Sequence, residues 1–292
     1  MSNTRTVLIT GTSSGIGLAT AKVFHQNGWN VVATLRNLDA ARPELVALAK
    51  GDEPRLILER LDVTDAAQIK AAIEAGIRQF GKIDVLVNNA GYAQNGVLEG
   101  ISSEKVKEQF AVNVFGVMDT IRAILPHFRA NGSGGVINIS SGAGLWALPL
   151  GTMYSGSKFA LEGFTEALSY ELASQGIFVK SIIPHGGVQE TEFATRFIGS
   201  TPTEPDSPEE KAQYKEVMDA YGPLVMKVYA SRLRAATDGS DRLRYTIGVD
   251  KRGFLAKRYN STSDEDYMQF MRAFFPPVND EDVEAWKKTQ KS

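Results

Sequence analysis

Two side chains four residues apart, Tyr154 and Lys158, have the types and spacing to move a proton. A helix over residues 152–173 puts positions i and i+4 on one face, so the phenol and the ammonium stand side by side. A free tyrosine titrates near about 10 and seldom exchanges a proton at neutral pH. A fixed positive charge beside it favours the phenolate and brings it toward the range of a general acid or base. The same pair on a solvated helix would do nothing. Tyr-x-x-x-Lys alone is a common pattern, so the surrounding elements must decide.

Those elements alternate. Thr6–Thr10 reads as a buried strand, and a helical pattern over 16–27 stops at Gly28. Further strands are expected at Asn30–Leu35, Arg55–Leu61, Ile83–Val87, Gly135–Ser140, Ile177–Pro184 and Leu243–Gly248. Helices are expected from Pro43, from an Asp65 cap to Phe80, and over Ser103–Phe128. This rhythm predicts an α/β fold: one Rossmann-type, doubly wound parallel sheet of about seven strands with helices on both faces. The 103–128 helix is apolar around much of its circumference (Val106, Phe110, Val114, Phe115, Val117, Ile121, Leu125). It is expected to be covered on two sides, which favours a homodimer or homotetramer. The proline-rich run Thr201–Glu210 interrupts the rhythm, so 186–240 reads as a lid over one domain spanning 1–292. Residues 250–292 form a C-terminal extension, with a helix expected near Asp264–Phe274.

With 292 residues, 43% hydrophobic and 23% charged, the chain can bury a core without staples. The net charge of −2, without a basic block, argues against a nucleic-acid partner. The absence of cysteine excludes disulfides, thiolate catalysis and cysteine zinc sites, and suits a cytoplasmic protein. No metal site is expected. The first residues lack the apolar length of a signal peptide, and no stretch approaches the roughly 20 apolar residues of a membrane span.

Gly11-Thr-Ser-Ser-Gly15-Ile-Gly17 lies between the first strand and the first helix. Free N–H groups and the helix dipole attract an anion there, and glycines let the backbone approach it. Gly11, Ser13, Ser14, Gly15, Ile16 and Gly17 are therefore candidates for holding a dinucleotide diphosphate. Gly11-Thr-Ser13-Ser-Gly15 also matches the nucleophile elbow of serine hydrolases. That reading requires a histidine late in the chain, and the only histidines are His25, His127 and His185, none of them in the last hundred or so residues. The second strand runs into Arg36, where an arginine accommodates a ribose 2′-phosphate and an acid would bind a free 2′-hydroxyl. Asp39 comes later, so NADP(H) is favoured over NAD(H). Arg36 as a plain solvated strand end is the alternative.

Thr10–Gly17, Asn88-Asn-Ala-Gly91, Asn113, Ser140-Ser141 and Tyr154–Lys158, in this order and spacing, resemble the short-chain dehydrogenase/reductase family. The resemblance covers about residues 5–190. It implies that Tyr154 exchanges a proton with the substrate oxygen, while Lys158 binds the nicotinamide ribose and tunes the tyrosine. Ser141 would hydrogen-bond the same oxygen, with Ser140 matching the spacing less well. Asn113 would hold a water linked to Lys158. Asp62 and Val63 would meet the adenine, Asn89, Ala90 and Gly91 would line a ribose, and Pro184 would reach the nicotinamide end. One departure follows Pro184, where His185-Gly186-Gly187 replaces Pro-Gly. It leaves open the backbone contacts there, the role of Thr191, and whether His185 reaches the substrate or is a plain loop residue.

The implied reaction interconverts a ketone or aldehyde and an alcohol. Leu145, Trp146, Leu148, Leu150, Met153, Phe193 and Phe197 either line an apolar substrate pocket or serve as packing. An uncharged, hydrophobic substrate of steroid or retinoid kind is expected. The rival is a non-catalytic NADP(H)-binding regulator on the same fold.

Overall fold

The computed structural model describes residues 4–50, 55–147, 150–184, 244–247, 254–261 and part of 263–270. Seven strands form one parallel sheet: β1 (Thr6–Ile9), β2 (Asn30–Leu35), β3 (Leu56–Arg60), β4 (Val85–Asn88), β5 (Gly134–Ile139), β6 (Ile177–Pro184) and β7 (Arg244–Ile247). Their order is β3-β2-β1-β4-β5-β6-β7, so the direction of winding reverses between β1 and β4. The helices are α1 (Gly15–Gln26), α2 (Pro43–Ala49), α3 (Ala66–Phe80), α4 (Ser103–Phe110), α5 (Gly116–Ala130), α6 (Thr152–Leu172) and α7 (Phe254–Asn260).

Strand alternation sorts the core into two layers. Val7, Ile9, Val31, Ala33, Val85 and Val87 face α1 and α2, packing on Ala21, Phe24 and Leu45. Leu8, Val32, Leu86, Val136 and Val179 face the other way, against Ile73 of α3, Ile121 and Phe128 of α5, and Leu161 and Leu168 of α6. The central strands are apolar on both faces because both are covered.

Local signals end the elements where expected. Asp65 caps α3 by accepting from the N–H groups of Ala67 (2.9 Å) and Gln68 (3.1 Å). Gly81, at φ +83°, closes the same helix. β2 and β6 agree with the sequence reading at both ends, and the other strands differ from it by one or two residues at one end or both.

Two expectations need correction. The helix expected over 103–128 is continuous but not uniform: residues Ala111–Phe115 form a π-helical turn between α4 and α5. Side-chain periodicity cannot reveal one inserted residue in so apolar a stretch. Within one chain Val114, Val117, Ile121 and Leu125 are buried and Phe115 is 56% exposed. In the tail, α7 was not anticipated, because seven residues are too few to show a period. Residues 266, 267, 269 and 270 of the expected 264–274 helix are helical, and the Lys257 ammonium of α7 grips Asp266 at 2.6 Å. The lid segment 186–240 and the rest of the tail lie outside the described residues.

Candidate active site

The site forms at the carboxyl ends of β1, β4 and β5, beside the point where the winding reverses, as open α/β sheets require. Thr10 ties the first two strands together. Its Oγ1 accepts from the N–H groups of Asn89 and Ala90, both at 2.9 Å. Asn89 Nδ2 donates back to the carbonyls of Thr10 (2.8 Å) and Gly11 (2.9 Å). Gly11 adopts φ +70°, and a Cβ there would lie 2.8 Å from the Cα of Ala90. At Gly17 a Cβ would meet the Gly11 carbonyl oxygen at 2.3 Å and Asn89 Nδ2 at 2.4 Å. The loop can therefore hug the end of β4 only with glycine at both places.

This packing leaves the start of α1 open. Ser14 occupies the cap position without a side-chain cap bond, and the first turn holds no acidic residue. The helix N-terminus thus keeps unpaired N–H donors, with Ser13, Gly15 and Ile16 around them, half-buried. This donor set fits the diphosphate of a dinucleotide. Arg36 is exposed just past β2. It lies close enough to oppose the rise of the Tyr92 phenol, which burial and Glu108 push up. Asp62 turns its Oδ1 to the N–H (2.9 Å) and hydroxyl (2.7 Å) of Thr64. Val63 beside it is held by the close approach of α5, where a Cβ at Gly116 would fall 2.7 Å from a Val63 methyl. Gly91 stands against Asn113, with its notional Cβ 3.1 Å from Asn113 Oδ1. Pro184 ends β6, paired with Ile247.

The structure removes the bland reading of the Tyr-x-x-x-Lys pair. Both residues are buried on α6, Tyr154 at 5% exposure and Lys158 at 6%. Tyr154 packs with Ala93, after β4, and Ala143, after β5. Lys158 Nζ lies 5.9 Å from the centre of that ring and donates to the Ile139 carbonyl at 2.8 Å. Burial pulls the Lys158 ammonium down from 10.5 to about 8, with Glu162 pulling the other way. Ser141, at the start of the 142–144 turn, accepts from the Ala143 N–H at 3.1 Å and keeps its own proton to donate. The neighbouring Ser140 Oγ is buried without a partner.

Asn113 sits in the π-turn, a distortion that recurs at functional sites. Its side chain makes three hydrogen bonds: Oδ1 accepts from the Tyr92 N–H (3.1 Å), and Nδ2 donates to the Tyr92 carbonyl (2.8 Å) and to Ser157 Oγ (3.1 Å). Ser157 in turn donates to the Tyr154 carbonyl at 2.7 Å. Asn113 thus links the end of β4 to the turn of α6 that carries Tyr154. The sequence reading missed Ser157 and Glu162, although both lie one turn from a singled-out residue.

Of the apolar candidates, Trp146 (4% exposed) and Leu150 (6%) are buried, and Leu145 and Met153 are half-buried. Leu150 holds φ +59°, and its carbonyl accepts from the Gly96 N–H at 2.9 Å, joining the loop before α6 to the loop after β4. Leu148, His185, Thr191, Phe193 and Phe197 lie outside the described residues. The hydrolase reading fails on geometry for the two described histidines. His127 accepts from the Ile83 N–H and His25 offers its carbonyl to Arg55, both at the amino ends of the strands, across the sheet from Ser13. Among the described residues no cluster of His, Asp and Glu could hold a metal, and no helix is long and apolar enough to cross a membrane.

Comparison with known proteins agrees with this geometry. The family profile described as short chain dehydrogenase matches residues 5–198. An uncharacterized oxidoreductase of Schizosaccharomyces pombe is 40% identical over 196 residues, 66% of this chain and 82% of its own. A short-chain dehydrogenase from Streptomyces avermitilis superposes with a TM-score of 0.73 at 30% identity, covering 100% of this chain and 98% of its own. A 3-ketoacyl-(acyl-carrier-protein) reductase from Brucella melitensis, solved with NADH, gives 0.59 at 32% identity over 72% of this chain and 89% of its own. With a glycine loop at the sheet's switch point and a buried tyrosine–lysine pair beside it, the chain belongs to the short-chain dehydrogenase/reductase family, oxidoreductases that act on CH–OH groups with a nicotinamide cofactor.

Proposed function

We propose that this protein is an NADP(H)-dependent oxidoreductase that interconverts a ketone or aldehyde and an alcohol, with Tyr154 as the general acid and base. The observation that carries this reading is the burial of Tyr154 and Lys158 together against the 142–144 turn, which Ser141 begins. The nicotinamide, when bound, supplies or accepts the hydride. As negative charge grows on the substrate oxygen, Tyr154 and Ser141 donate to it, and in the reverse direction Tyr154 takes the alcohol proton. Lys158, held by the Ile139 carbonyl, places positive charge next to the phenol where little water can screen it. Because the Asn113 side chain is engaged, a water at this residue would rest on its main chain. Asp62, Val63, Asn89, Ala90, Gly91 and Pro184 would meet the nucleotide.

Arg36 favours the 2′-phosphate of NADP(H), since its fork matches a phosphate and it stands exposed at the end of β2. The Brucella relative was solved with NADH, so the choice is open to direct test. Trp146, Leu150 and Met153 support an uncharged, hydrophobic substrate, over which segment 186–240 would close as a lid. Exposed Phe115 (56%) and Phe159 (42%) support a homodimer or homotetramer, and the lack of cysteine supports a cytoplasmic location.

The test is a panel of apolar ketones and aldehydes assayed with NADPH by absorbance, for the wild type and Tyr154→Phe. The expected result is turnover with at least one apolar carbonyl, reduced by about 10² or more in the variant, with NADPH affinity nearly unchanged. Cofactor binding without turnover across the panel would favour the regulator instead.

A further inference from the structure

Lys158 has a buried acidic neighbour that the chemistry above does not use. Glu162 follows it by one turn of α6 and is 4% exposed. Tyr154, Lys158 and Glu162 therefore lie in one row down the same face of the helix. The Glu162 carboxylate accepts a short hydrogen bond from Ser181 Oγ on β6. The turn at residues 142–144 closes over both charged residues: a Cβ at Gly144 would lie 2.9 Å from the Lys158 carbonyl oxygen and 3.0 Å from Glu162 Cγ.

As a stabilising device this arrangement is poor. A lysine preceding a glutamate by four residues is the weaker orientation on a helix. Burying two charges costs more than their attraction returns unless geometry and hydrogen bonds are good. A buried row of phenol, ammonium and carboxylate is instead what sets the charge state of its middle member.

We propose that Glu162 is a positioning residue for Lys158: anchored by Ser181, its carboxylate keeps the Lys158 ammonium charged and aimed at the Ile139 carbonyl, under the Tyr154 ring. The electrostatic pull of Glu162 opposes the burial that drives the Lys158 proton off. Glu162 is the one charged group whose pull on Lys158 is resolved, although α4, with Glu104, Lys105, Lys107 and Glu108, also packs on α6. The π-turn offers Asn113, the 142–144 turn has no ionisable side chain, and β6 offers Ser181. The next residue on β6, Lys180, projects to the opposite face, with its ammonium 5.4 Å from the Phe178 ring.

The test uses the stability difference between wild type and Lys158→Met as a function of pH, measured by urea unfolding. This difference changes with pH only where Lys158 titrates. In a Glu162→Gln background the onset of that change should move to lower pH by about one unit, and Ser181→Ala should move it the same way by less. Glu162→Asp should restore part of the shift. The proposal also rests on the oxidoreductase reading through a second readout: the alkaline limb of turnover against pH should move down in Glu162→Gln by a similar amount. Loss of stability with both limbs unmoved would reduce Glu162 to a structural role and overturn the proposal. If Glu162→Gln does not fold, an unmoved onset in Ser181→Ala overturns it. A wild type without turnover would sink the oxidoreductase reading while the unfolding titration still decides the role of Glu162.

Discussion

Replacing Lys158 by methionine should weaken the enzyme and strengthen the fold. The ammonium is buried against the Ile139 carbonyl and is pulled from 10.5 to about 8, a value that already includes the opposing pull of Glu162. That drop corresponds to about 3 kcal/mol of native-state destabilisation at pH 7, where both folded and unfolded chains carry the proton. Methionine has similar length and no charge, so it removes this term. It leaves the Ile139 carbonyl without its donor, at a cost of about 1–3 kcal/mol. The variant should therefore lie between equal stability and about 2 kcal/mol above wild type at pH 7. The pH dependence is sharper. Between about pH 8 and 10.5 the unfolded chain holds a proton that the folded chain has released, so raising the pH favours the folded wild type. By pH 9.5 the penalty on wild type should fall to less than half of its value at pH 7. The advantage of the variant should shrink by about 2 kcal/mol between pH 7 and 9.5. Urea unfolding of both proteins at the two pH values reads this directly, and other ionisations cancel in the difference. A difference that stays constant would show that burial does not lower Lys158 in the folded chain and would refute the destabilisation reasoned here. Methionine should also abolish most turnover, the trade expected when a strained polar site serves function.

Arg36→Ala should weaken NADPH binding by about 1.5–3 kcal/mol and leave NADH binding nearly untouched. Equal effects on both, by titration calorimetry, would remove Arg36 from the 2′-phosphate site. Gly17→Ala should cost about 1–3 kcal/mol of stability and most cofactor affinity, because its methyl has no room between Gly11 and Asn89. Gly163→Ala on α6 meets nothing within 4 Å and should instead raise the melting temperature, with a gain of about 0.5–1 kcal/mol. If both substitutions behaved alike, the close approach at Gly17 would not be what holds the loop.

The regular layers were legible in the sequence because each depends on short-range patterns. Two-residue alternation places Val7 and Ile9 on one face of the sheet and Leu8 on the other. Asp65 and Gly81 bracket a helix by local hydrogen bonding and backbone preference. The glycine loop, the serine pair and the tyrosine–lysine spacing likewise stood out as strings of residues, and the fold brings them to the same edge of the sheet. What strings could not show is where tertiary packing overrides a local period. The π-turn at Ala111–Phe115 breaks a helix that reads as continuous, and α7 is too short to leave a period.

Burial and partners are likewise decided only in three dimensions. Tyr-x-x-x-Lys on an exposed helix and on a buried one have the same letters. It is the covering of α6 by the 142–144 turn and by Ala93 that removes water from the pair and brings Lys158 to about 8. Asn113 stands out in the sequence only by its place in the chain; the partners of its amide, Tyr92 and Ser157, appear only in the fold. Glu162 reads as an ordinary helix residue until Ser181, nineteen positions away, is found holding its carboxylate inside the fold. Residue types and spacing determined which chemistry was available to this chain. The dielectric around those residues, which depends on contacts between distant segments, decided their charge and therefore what they can do.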